Sequence, residues 1–396
     1  MLFINRFWDS FVCFIGTFAL VCILVALAAS GAGAQSSAIP PQSNQKDQQS
    51  STPASSAAGR GSSSQAKPKY DVPGVDPKTG VPLYETIQED WSSLAIGVSK
   101  LEPEAPLVGE VDHESGFTRT MVRLQWRPGD PVDLYIIVPD GVKKPPVVLY
   151  LYGYQEDTDR FRNNRWCTHV TSGGVAAVGF VSALSTSRFR NRPMRQWFVS
   201  QLQESLGSTV HDVHFILDYL AQRGDLDMDR VGMFGQSSGG TIALLSAAAD
   251  PRIKVVDALD PWGDWPVWPK SSPVLQDDSS HTDFTSPQFL KKVAPLDPVK
   301  WLPTLTSTRV RIQQVKDNPA TPAACQKALR AAAPKRADLA QFENVSELGA
   351  SEGGGGLFDW IKQQLKSLPS HGQNQSLMTQ AHTQASGTAE RPAGDR

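Results

Sequence analysis

The 396-residue sequence contains four cysteines, and two of them, Cys13 and Cys22, lie in an apolar stretch near the N-terminus. The remainder of the chain has only Cys167 and Cys325, which permit one disulfide at most and exclude a disulfide framework. A structural zinc site needs four closely spaced cysteine or histidine ligands, and the sequence has no such group. We therefore expect no metal and no cofactor.

The chain also lacks an excess of charge of either sign, since 38 Lys and Arg residues stand against 40 Asp and Glu residues. Nucleic-acid binding needs a basic surface that neutralises phosphates, and this balance argues against it. A strongly acidic, solvating chain is excluded on the same ground. The composition favours a soluble globular protein.

The first 34 residues have the layout of a signal peptide. Arg6 precedes an apolar stretch from Phe11 to Ala29, and small residues follow up to Ala34. Ala32 and Ala34 supply the two small residues that a cleavage site requires. The apolar stretch is also long enough to span a bilayer, so an uncleaved membrane anchor is the alternative. We expect a secreted, periplasmic or cell-envelope protein, attached to the membrane if this segment is retained.

Two further segments are too poor in apolar residues to form a packed core. Residues 35–69 are rich in Ser, Gln, Ala, Pro and Gly and are predicted to form a disordered spacer. Residues 370–396 have the same polar character and are predicted to form a disordered tail. The region between them, residues 70–369, is predicted to be a single domain.

Apolar runs of strand length alternate with helical patterns in this domain, which indicates a mostly parallel sheet covered by helices on both faces. Residues 119–126 and 132–138 are predicted to form an antiparallel opening pair. Predicted strands follow at residues 147–152, 175–181, 230–234, 253–259, 310–315 and 339–342. A helix with apolar residues at Val210, Val213 and Leu217 is predicted to end at Gly224. The predicted fold class is α/β.

The sequence Gly235-Gln236-Ser237-Ser238-Gly239 lies between a predicted strand and a predicted helix. A serine flanked in this way is typical of a nucleophile elbow, a strained turn at which bulkier neighbours would collide with adjacent elements. The alternative is a glycine-rich turn of the kind found in any doubly wound sheet. The strand–turn–helix context favours Ser237 as a candidate nucleophile.

Residues 118–365 resemble the α/β-hydrolase superfamily, most closely its dienelactone-hydrolase-like and prolyl-oligopeptidase-like branches. The resemblance rests on the segment from Asp229 to Gly235 and on the ending Leu357-Phe358-Asp359-Trp360-Ile361. It implies an α/β-hydrolase fold with an excursion, or lid, between the strands that end near Asp260 and Asp317.

The same resemblance implies the positions of the partners of Ser237. The backbone amides of Tyr154 and Ser238 would form the oxyanion hole. Asp317 is the implied catalytic acid, since it follows a strand end and could orient an imidazole, and Asp260 or Asp264 is the alternative.

The catalytic histidine that the resemblance implies after the last strand is missing, because residues 343–353 contain no histidine. Without a base to take its proton, a serine hydroxyl is a poor nucleophile. The candidate bases are His281 in the excursion, His371 beyond the closing helix, and Glu347 or Glu352 if burial raises the carboxyl pKa. A site that has lost its chemistry is the alternative.

Several other side chains near the predicted site permit two interpretations. Trp262, Trp265 and Trp268 would form an aromatic wall that either shapes a substrate pocket or packs the lid. Arginines follow two predicted strands and would either bind an anionic substrate or pair with local acids. These arginines are Arg160, Arg162, Arg165, Arg188, Arg190, Arg192 and Arg195. His211 and His214 share one helix face but lack a third metal ligand, so both are interpreted as surface residues.

These observations lead to one functional hypothesis and two alternatives. The hypothesis is an exported serine hydrolase that cleaves a small-molecule carboxylic ester with Ser237 as nucleophile. The first alternative is another kind of enzyme, a peptidase. The second alternative is not an enzyme but a catalytically degenerate α/β-hydrolase-fold binding protein that lacks the triad histidine.

Overall fold

The computed structural model describes residues 89–99, 101–127, 129–154, 156–185, 188, 202–275, 284–351 and 356–370. These residues belong to one structural unit, Lys69–Arg396. The predicted signal peptide or anchor, the spacer and the tail beyond Ser370 lie outside them, as do three candidate bases, His281, Glu352 and His371. Among the described helices, none combines the length and apolar character that crossing a membrane requires.

Within the described residues, nine strands form one sheet in the order β1-β2-β3-β5-β4-β6-β7-β8-β9. The first three strands and the β3–β5 pair are antiparallel, and the remaining pairs are parallel. The strands are β1 Leu107–Glu114, β2 Phe117–Leu124, β3 Val132–Pro139, β4 Pro146–Leu151, β5 Ala176–Gly179, β6 Asp227–Gln236, β7 Ile253–Leu259, β8 Arg309–Val315 and β9 Asp338–Phe342. The mostly parallel sheet and its antiparallel opening pair confirm the prediction, whereas β1 was not predicted.

Helices connect these strands and cover the sheet. They are α1 Asp159–Arg162, α2 Asn164–Thr171, α3 Leu202–Arg223, α4 Ser238–Ala249, α5 Trp268–Ser271, α6 Pro287–Val293, α7 Pro298–Trp301, α8 Ala323–Ala332, α9 Val345–Ser351 and α10 Asp359–Lys366. Helix α3 ends as predicted, with Gly224 at a φ of +73° that residues with a side chain rarely adopt. Residues 343–353, which follow the last predicted strand and contain no histidine, include α9, a helix that was not predicted.

The sheet is covered on both faces because its central strands are apolar on both sides. All six residues of β4 are buried. Val147 and Leu149 pack in a cluster that includes residues of α3 and α4. Val148 and Tyr150 belong to a second cluster that includes residues of α2 and α10. Neighbouring residues of a strand point to opposite faces, so this continuous apolar run places helices on both sides.

A buried ion cluster packs α3 against the β2–β3 turn. Asp212 on α3 lies at its centre: one carboxylate oxygen accepts hydrogen bonds from Trp126 Nε1, at 2.8 Å, and from Arg127 Nη1. The other oxygen accepts from Arg188 Nη1 at 2.7 Å. Arg127 also forms a two-bond pair with Glu89, and Arg188 forms one with Asp130. Of the predicted alternatives for Arg188, the structure therefore shows pairing with local acids.

His211 belongs to this cluster, and its interpretation as a surface residue is wrong. The side chain is fully buried, with Nδ1 2.6 Å from Glu89 Oε1 and Nε2 2.9 Å from Ser93 O. The helix period alone did not reveal this, because residues 89–93, far away in sequence, cover that face of α3. His214, one turn later, is 40% exposed and its Nδ1 lies 3.0 Å from Asp250 Oδ2.

Candidate active site

Ser237 occupies the turn between β6 and α4 with a φ of 53° and a ψ of −120°. A positive φ in a residue with a side chain is strained and is kept only where the surroundings enforce it. Here the Ser237 N–H donates to Leu259 O at 2.9 Å, and the Ser237 carbonyl accepts from the Thr241 N–H at 3.2 Å. The end of β7 and the first turn of α4 therefore hold the serine in this conformation.

The two glycines of the motif are required by close backbone contacts. A Cβ atom at Gly235 would lie 2.2 Å from Gly239 O, and one at Gly239 would lie 2.1 Å from Leu151 O. Both distances are too short for any side chain. The turn after β6 packs against its own backbone and against the end of β4, which explains why the motif has glycine at both positions.

Of the two residues predicted to form an oxyanion hole, Ser238 directly follows Ser237 in the chain and Tyr154 belongs to the loop after β4. Ser238 is the first residue of α4, and amides in the first turn of a helix have no acceptor within that helix. The loop after β4 passes beside the serine, since a Cβ atom at Gly153 would lie 3.5 Å from Ser237 Cβ. Tyr154 follows Gly153, and its ring packs edge-on against Trp262 at 5.8 Å.

Asp260 and Asp317 come together at the same edge of the sheet, because they follow the adjacent parallel strands β7 and β8. Asp260 is 6% exposed. One of its carboxylate oxygens accepts from the Val315 N–H and the other from Asn318 Nδ2, both at 2.8 Å. Asp317 is exposed in the turn after β8. Asp264 is half-buried, and its N–H donates to Asp297 Oδ1 at 3.0 Å.

The environment of Asp260 disfavours its charged form. Burial raises the pKa of Asp260 to about 6, although the hydrogen bonds from Val315 and Asn318 act in the opposite direction. The negative charge of Asp317 raises the pKa further. Asp260 is thus the buried, pH-sensitive carboxyl of the pair.

This pKa predicts a specific dependence of stability on pH. A carboxyl whose pKa rises on folding binds more protons in the native state, so the free energy of unfolding falls as pH increases between 3.8 and about 6. The shift corresponds to a loss on the order of 3 kcal/mol across this window. We expect Asp260→Asn to remove this part of the pH dependence. Urea unfolding of the wild type and the variant at several pH values between 3.8 and about 6 measures the difference.

The control is Asp317→Asn, whose side chain is exposed. It should retain most of the pH dependence and lose only the contribution of its own charge to the pKa of Asp260. The prediction would be contradicted if the free energies of unfolding of the wild type and Asp260→Asn differed by the same amount at every pH in this window.

Glu347, the candidate base that the structure describes, lies in the first turn of a helix. Its carboxylate accepts from the Glu343 N–H at 2.5 Å, and its own N–H donates to Asn344 Oδ1 at 2.9 Å. Asn344 thus caps the start of α9, while the Glu347 carboxylate reaches back to the amide of the residue before that cap. The side chain is exposed, so the burial that a carboxylate base would need is not found there.

The histidines among the described residues have contacts away from Ser237. His113 Nδ1 lies 3.2 Å from Thr118 Oγ1, and the ring of His169 packs against Phe358 at 5.6 Å. His211 belongs to the buried ion cluster, and His214 contacts Asp250. None of these contacts involves Ser237, so an imidazole base would have to come from outside the described residues.

The three tryptophans of the excursion are each less than 2% exposed. Trp262 stacks on Trp268 with ring centroids 4.6 Å apart, and Trp265 packs edge-on against Trp268 at 5.6 Å. The carboxylate of Asp297 anchors this part of the chain by accepting from the N–H groups of Asp264 and Trp265. The aromatic group therefore packs within the core, with Trp262 at the side of Tyr154.

The sequence did not indicate three residues that organise this edge of the sheet. Asn318 links the turn after β8 to Asp260, and Thr241 Oγ1 donates to Trp262 O at 2.8 Å. Asp297 holds the excursion through backbone amides. Only Asp297 carries a local signal, since Asp followed by Pro is typical of a helix start. The other two act through contacts distant in sequence.

A family model described as X-Pro dipeptidyl-peptidase (S15 family) matches residues 128–338 of the chain. The match covers just over half of the sequence and includes Ser237, Asp260 and Asp317. A curated relative, the putative hydrolase YtaP of Bacillus subtilis (strain 168), is 45% identical over 49 residues. That alignment spans 12% of this chain and 16% of the relative.

Two solved structures resemble the fold of the chain. Acetyl xylan esterase 1 from Thermoanaerobacterium sp. JW/SL YS485 has a TM-score of 0.52 and 15% sequence identity, over 67% of this chain and 89% of that one. The acetyl xylan esterase from Paenibacillus sp. R4 has the same score and identity, over 66% and 89%. At this identity the likeness concerns the fold, and it agrees with the α/β-hydrolase architecture.

Proposed function

Since the chain belongs to the X-Pro dipeptidyl-peptidase (S15) family, we propose that it is a serine hydrolase in which Ser237 attacks the carbonyl carbon of a carboxylic ester. The observation that carries this proposal is the strained backbone of Ser237 at a strand-to-helix turn, beside the loop that follows β4. Such a turn presents a hydroxyl at the carboxyl edge of the sheet, where α/β proteins bind ligands.

In the proposed reaction, Ser237 Oγ forms a bond to the carbonyl carbon while a base takes its proton. The carbonyl oxygen becomes an oxyanion, which accepts hydrogen bonds from the N–H groups of Tyr154 and Ser238. The carbon–oxygen bond to the alcohol then breaks, and the alcohol leaves with a proton. Water hydrolyses the acyl-enzyme by the same steps and releases the carboxylic acid.

Two histidines outside the described residues are candidates for the base, His281 and His371. An imidazole oriented by Asp317 would complete the arrangement, since the carboxylate fixes the tautomer and stabilises the imidazolium. We expect one of the variants His281→Gln and His371→Gln to lose turnover and the other to keep it. Full activity in both would reject a histidine base from either position.

Labelling with a fluorophosphonate probe tests the proposed nucleophile directly. The probe should modify the protein at Ser237, as located by mass spectrometry of the labelled peptide, and should not modify the variant Ser237→Ala. Short-chain 4-nitrophenyl esters provide the parallel activity assay. A protein that takes no label and hydrolyses no ester would overturn the proposal and favour the non-catalytic binding protein.

A peptidase is the second candidate function, and the S15 family match is the observation that favours it. Hydrolysis of an Xaa-Pro 4-nitroanilide beside a 4-nitrophenyl ester discriminates the two. Turnover of the anilide at the same Ser237 would assign the site to amide bonds. Turnover restricted to esters would assign it to the esterase reaction.

We also propose that the chain is exported to the cell envelope, on the basis of the N-terminal 34 residues. Mass spectrometry of the mature protein from an envelope fraction tests this. An N-terminus at Gln35 would support cleavage after Ala34, and an intact N-terminus in the membrane fraction would support an anchor. Recovery of the intact chain from the cytosol alone would overturn the proposal.

A further inference from the structure

Asp260 has a strained backbone, as Ser237 does. Its φ is 47°, a value that residues with a side chain rarely adopt. Asp260 directly follows Leu259, whose carbonyl accepts the hydrogen bond from the Ser237 N–H at 2.9 Å. Such strain is kept only where the surroundings enforce it, and an observed case is a reason to look for a functional role. The contacts of Asp260 indicate what that role is.

Each polar group of Asp260 bonds to the end of β8 or to the residues that follow it. The Asp260 N–H donates to Gln313 O at 2.8 Å, and the Asp260 carbonyl accepts from Thr321 Oγ1 at 3.3 Å. One carboxylate oxygen accepts from the Val315 N–H and the other from Asn318 Nδ2, both at 2.8 Å. These four partners lie before and after the candidate acid in the chain.

The two carboxylate bonds hold the turn that carries Asp317. Val315 lies two residues before Asp317 and Asn318 lies directly after it, and the Asn318 N–H closes the turn by donating to Val315 O at 3.2 Å. The side chain of Asp317 is exposed. Its negative charge nevertheless raises the pKa of Asp260, so the two carboxyl groups interact. We call residues 316–318 the acid turn.

The side chain of Asn318 is oriented by a second hydrogen bond. Its Oδ1 accepts from the Ala320 N–H at 3.0 Å, which leaves Nδ2 to face Asp260. An amide nitrogen can only donate, so residue 260 has to present an acceptor there. An imidazole oriented by Asp260 would have to share an oxygen that already accepts from a protein donor. The contacts therefore suit Asp260 to holding the acid turn.

We propose that Asp260 is a positioning residue, which holds the acid turn in register with the elbow at Ser237. The inference rests on the proposed ester hydrolysis, in which Asp317 orients an imidazole base. The connection runs from the Ser237 N–H to Leu259 O, along the backbone to Asp260, and from its two carboxylate oxygens to the turn. Asp260 needs no contact with the substrate, so its loss should lower kcat and leave KM unchanged.

An exchange of the two side chains tests this role, with ester turnover measured above the pKa of Asp260. In Asp260→Asn, one of the two donors, the Val315 N–H or Asn318 Nδ2, loses its acceptor. We expect kcat to fall about 10²-fold, the effect of misplacing a catalytic group by about 1 Å. In Asp260→Asn/Asn318→Asp, donor and acceptor exchange places and both bonds form again. This double variant should regain most of the wild-type kcat.

The exchange also separates positioning from the role of catalytic acid. If Asp260 itself oriented the base, the double variant would stay as slow as Asp260→Asn, and that result would overturn the proposal. Asp317→Asn should lower kcat by about 10⁴, as in triads whose aspartate is replaced by asparagine. Asn318→Ala removes only the donor and does not depend on the exchange. Its kcat should fall about tenfold, the effect of one hydrogen bond, and an unchanged kcat would contradict the proposal.

Asp257→Asn is the matched control. Asp257 is a fully buried carboxylate of the same strand, and it also bonds to β8, by accepting from Arg311 and Gln313. The substitution weakens a buried ion pair and should lower the urea midpoint of unfolding while kcat stays at the wild-type value. An equal fall of kcat in Asp257→Asn and Asp260→Asn would assign the effect to general loosening of the sheet and reject the positioning role.

Urea unfolding of the same variants tests the contacts without turnover. If the two side chains are paired as described, the midpoint of Asp260→Asn/Asn318→Asp should exceed that of either single variant. An inactive wild type that shows this recovery would retain the contacts and reject the proposed reaction. An active wild type whose double variant recovers neither stability nor kcat would retain the reaction and reject the positioning role.

Discussion

Ser237→Ala is expected to lower the turnover of 4-nitrophenyl esters by about 10⁶. In the proposed reaction the hydroxyl oxygen would form the covalent bond of the acyl-enzyme, and alanine has no atom that replaces it. In serine hydrolases the removal of the nucleophile lowers kcat by about 10⁶, with the remaining acceleration coming from the oxyanion donors and binding. The measurement is kcat in the variant and the wild type, at the same substrate concentrations.

Ser246→Ala is the control for this prediction. Ser246 is a buried serine of α4, the helix that follows Ser237, and its Oγ has no partner among the described residues. Its loss should leave kcat unchanged. Equal turnover by Ser237→Ala and the wild type would show that another group carries any hydrolysis observed.

Asp212→Ala is expected to destabilise the fold by about 3 to 5 kcal/mol, the usual cost of removing one partner from a buried ion pair. The carboxylate accepts hydrogen bonds from Trp126, Arg127 and Arg188. Without it, two buried guanidinium groups would lose a shared counter-charge. Urea unfolding followed by circular dichroism gives the change in the free energy of unfolding.

An exposed ion pair supplies the comparison. Arg123 and Asp133 form a two-bond pair between β2 and β3, with side chains 47% and 34% exposed. Because exposed pairs contribute about 0 to 1 kcal/mol, Asp133→Ala should have a small effect. If Asp212→Ala and Asp133→Ala lowered the free energy of unfolding by similar amounts, the burial of Asp212 would add nothing to its contribution to stability.

The sequence predicted those parts of the fold in which local pattern and environment agree. The strand at residues 253–259 was predicted with its observed bounds, because a run of apolar residues follows α4 and ends at Asp260. The elbow was predicted because close packing around the turn admits only glycine at Gly235 and Gly239. In both cases the physical requirement acts on neighbouring residues and is visible in the pattern.

The features that escaped prediction depend on contacts between distant segments. Strand β1 was missed because it has no buried face, and most of its residues are exposed. The burial of His211 depends on Glu89 and Ser93, more than a hundred residues away. The link between Asp260 and Asn318 also joins residues far apart in sequence. No periodicity within one segment contains such information.

The backbone strain at Ser237 also bears on what selection maintains in this chain. A residue with a side chain at a positive φ costs about 1 to 3 kcal/mol, a penalty that glycine largely avoids. Serine at a φ of 53° therefore lowers the free energy of unfolding, and the substitution Ser237→Gly would recover most of that loss. A chain with no use for the hydroxyl would gain thermostability by that exchange, so the strained serine is itself an argument that the hydroxyl is used.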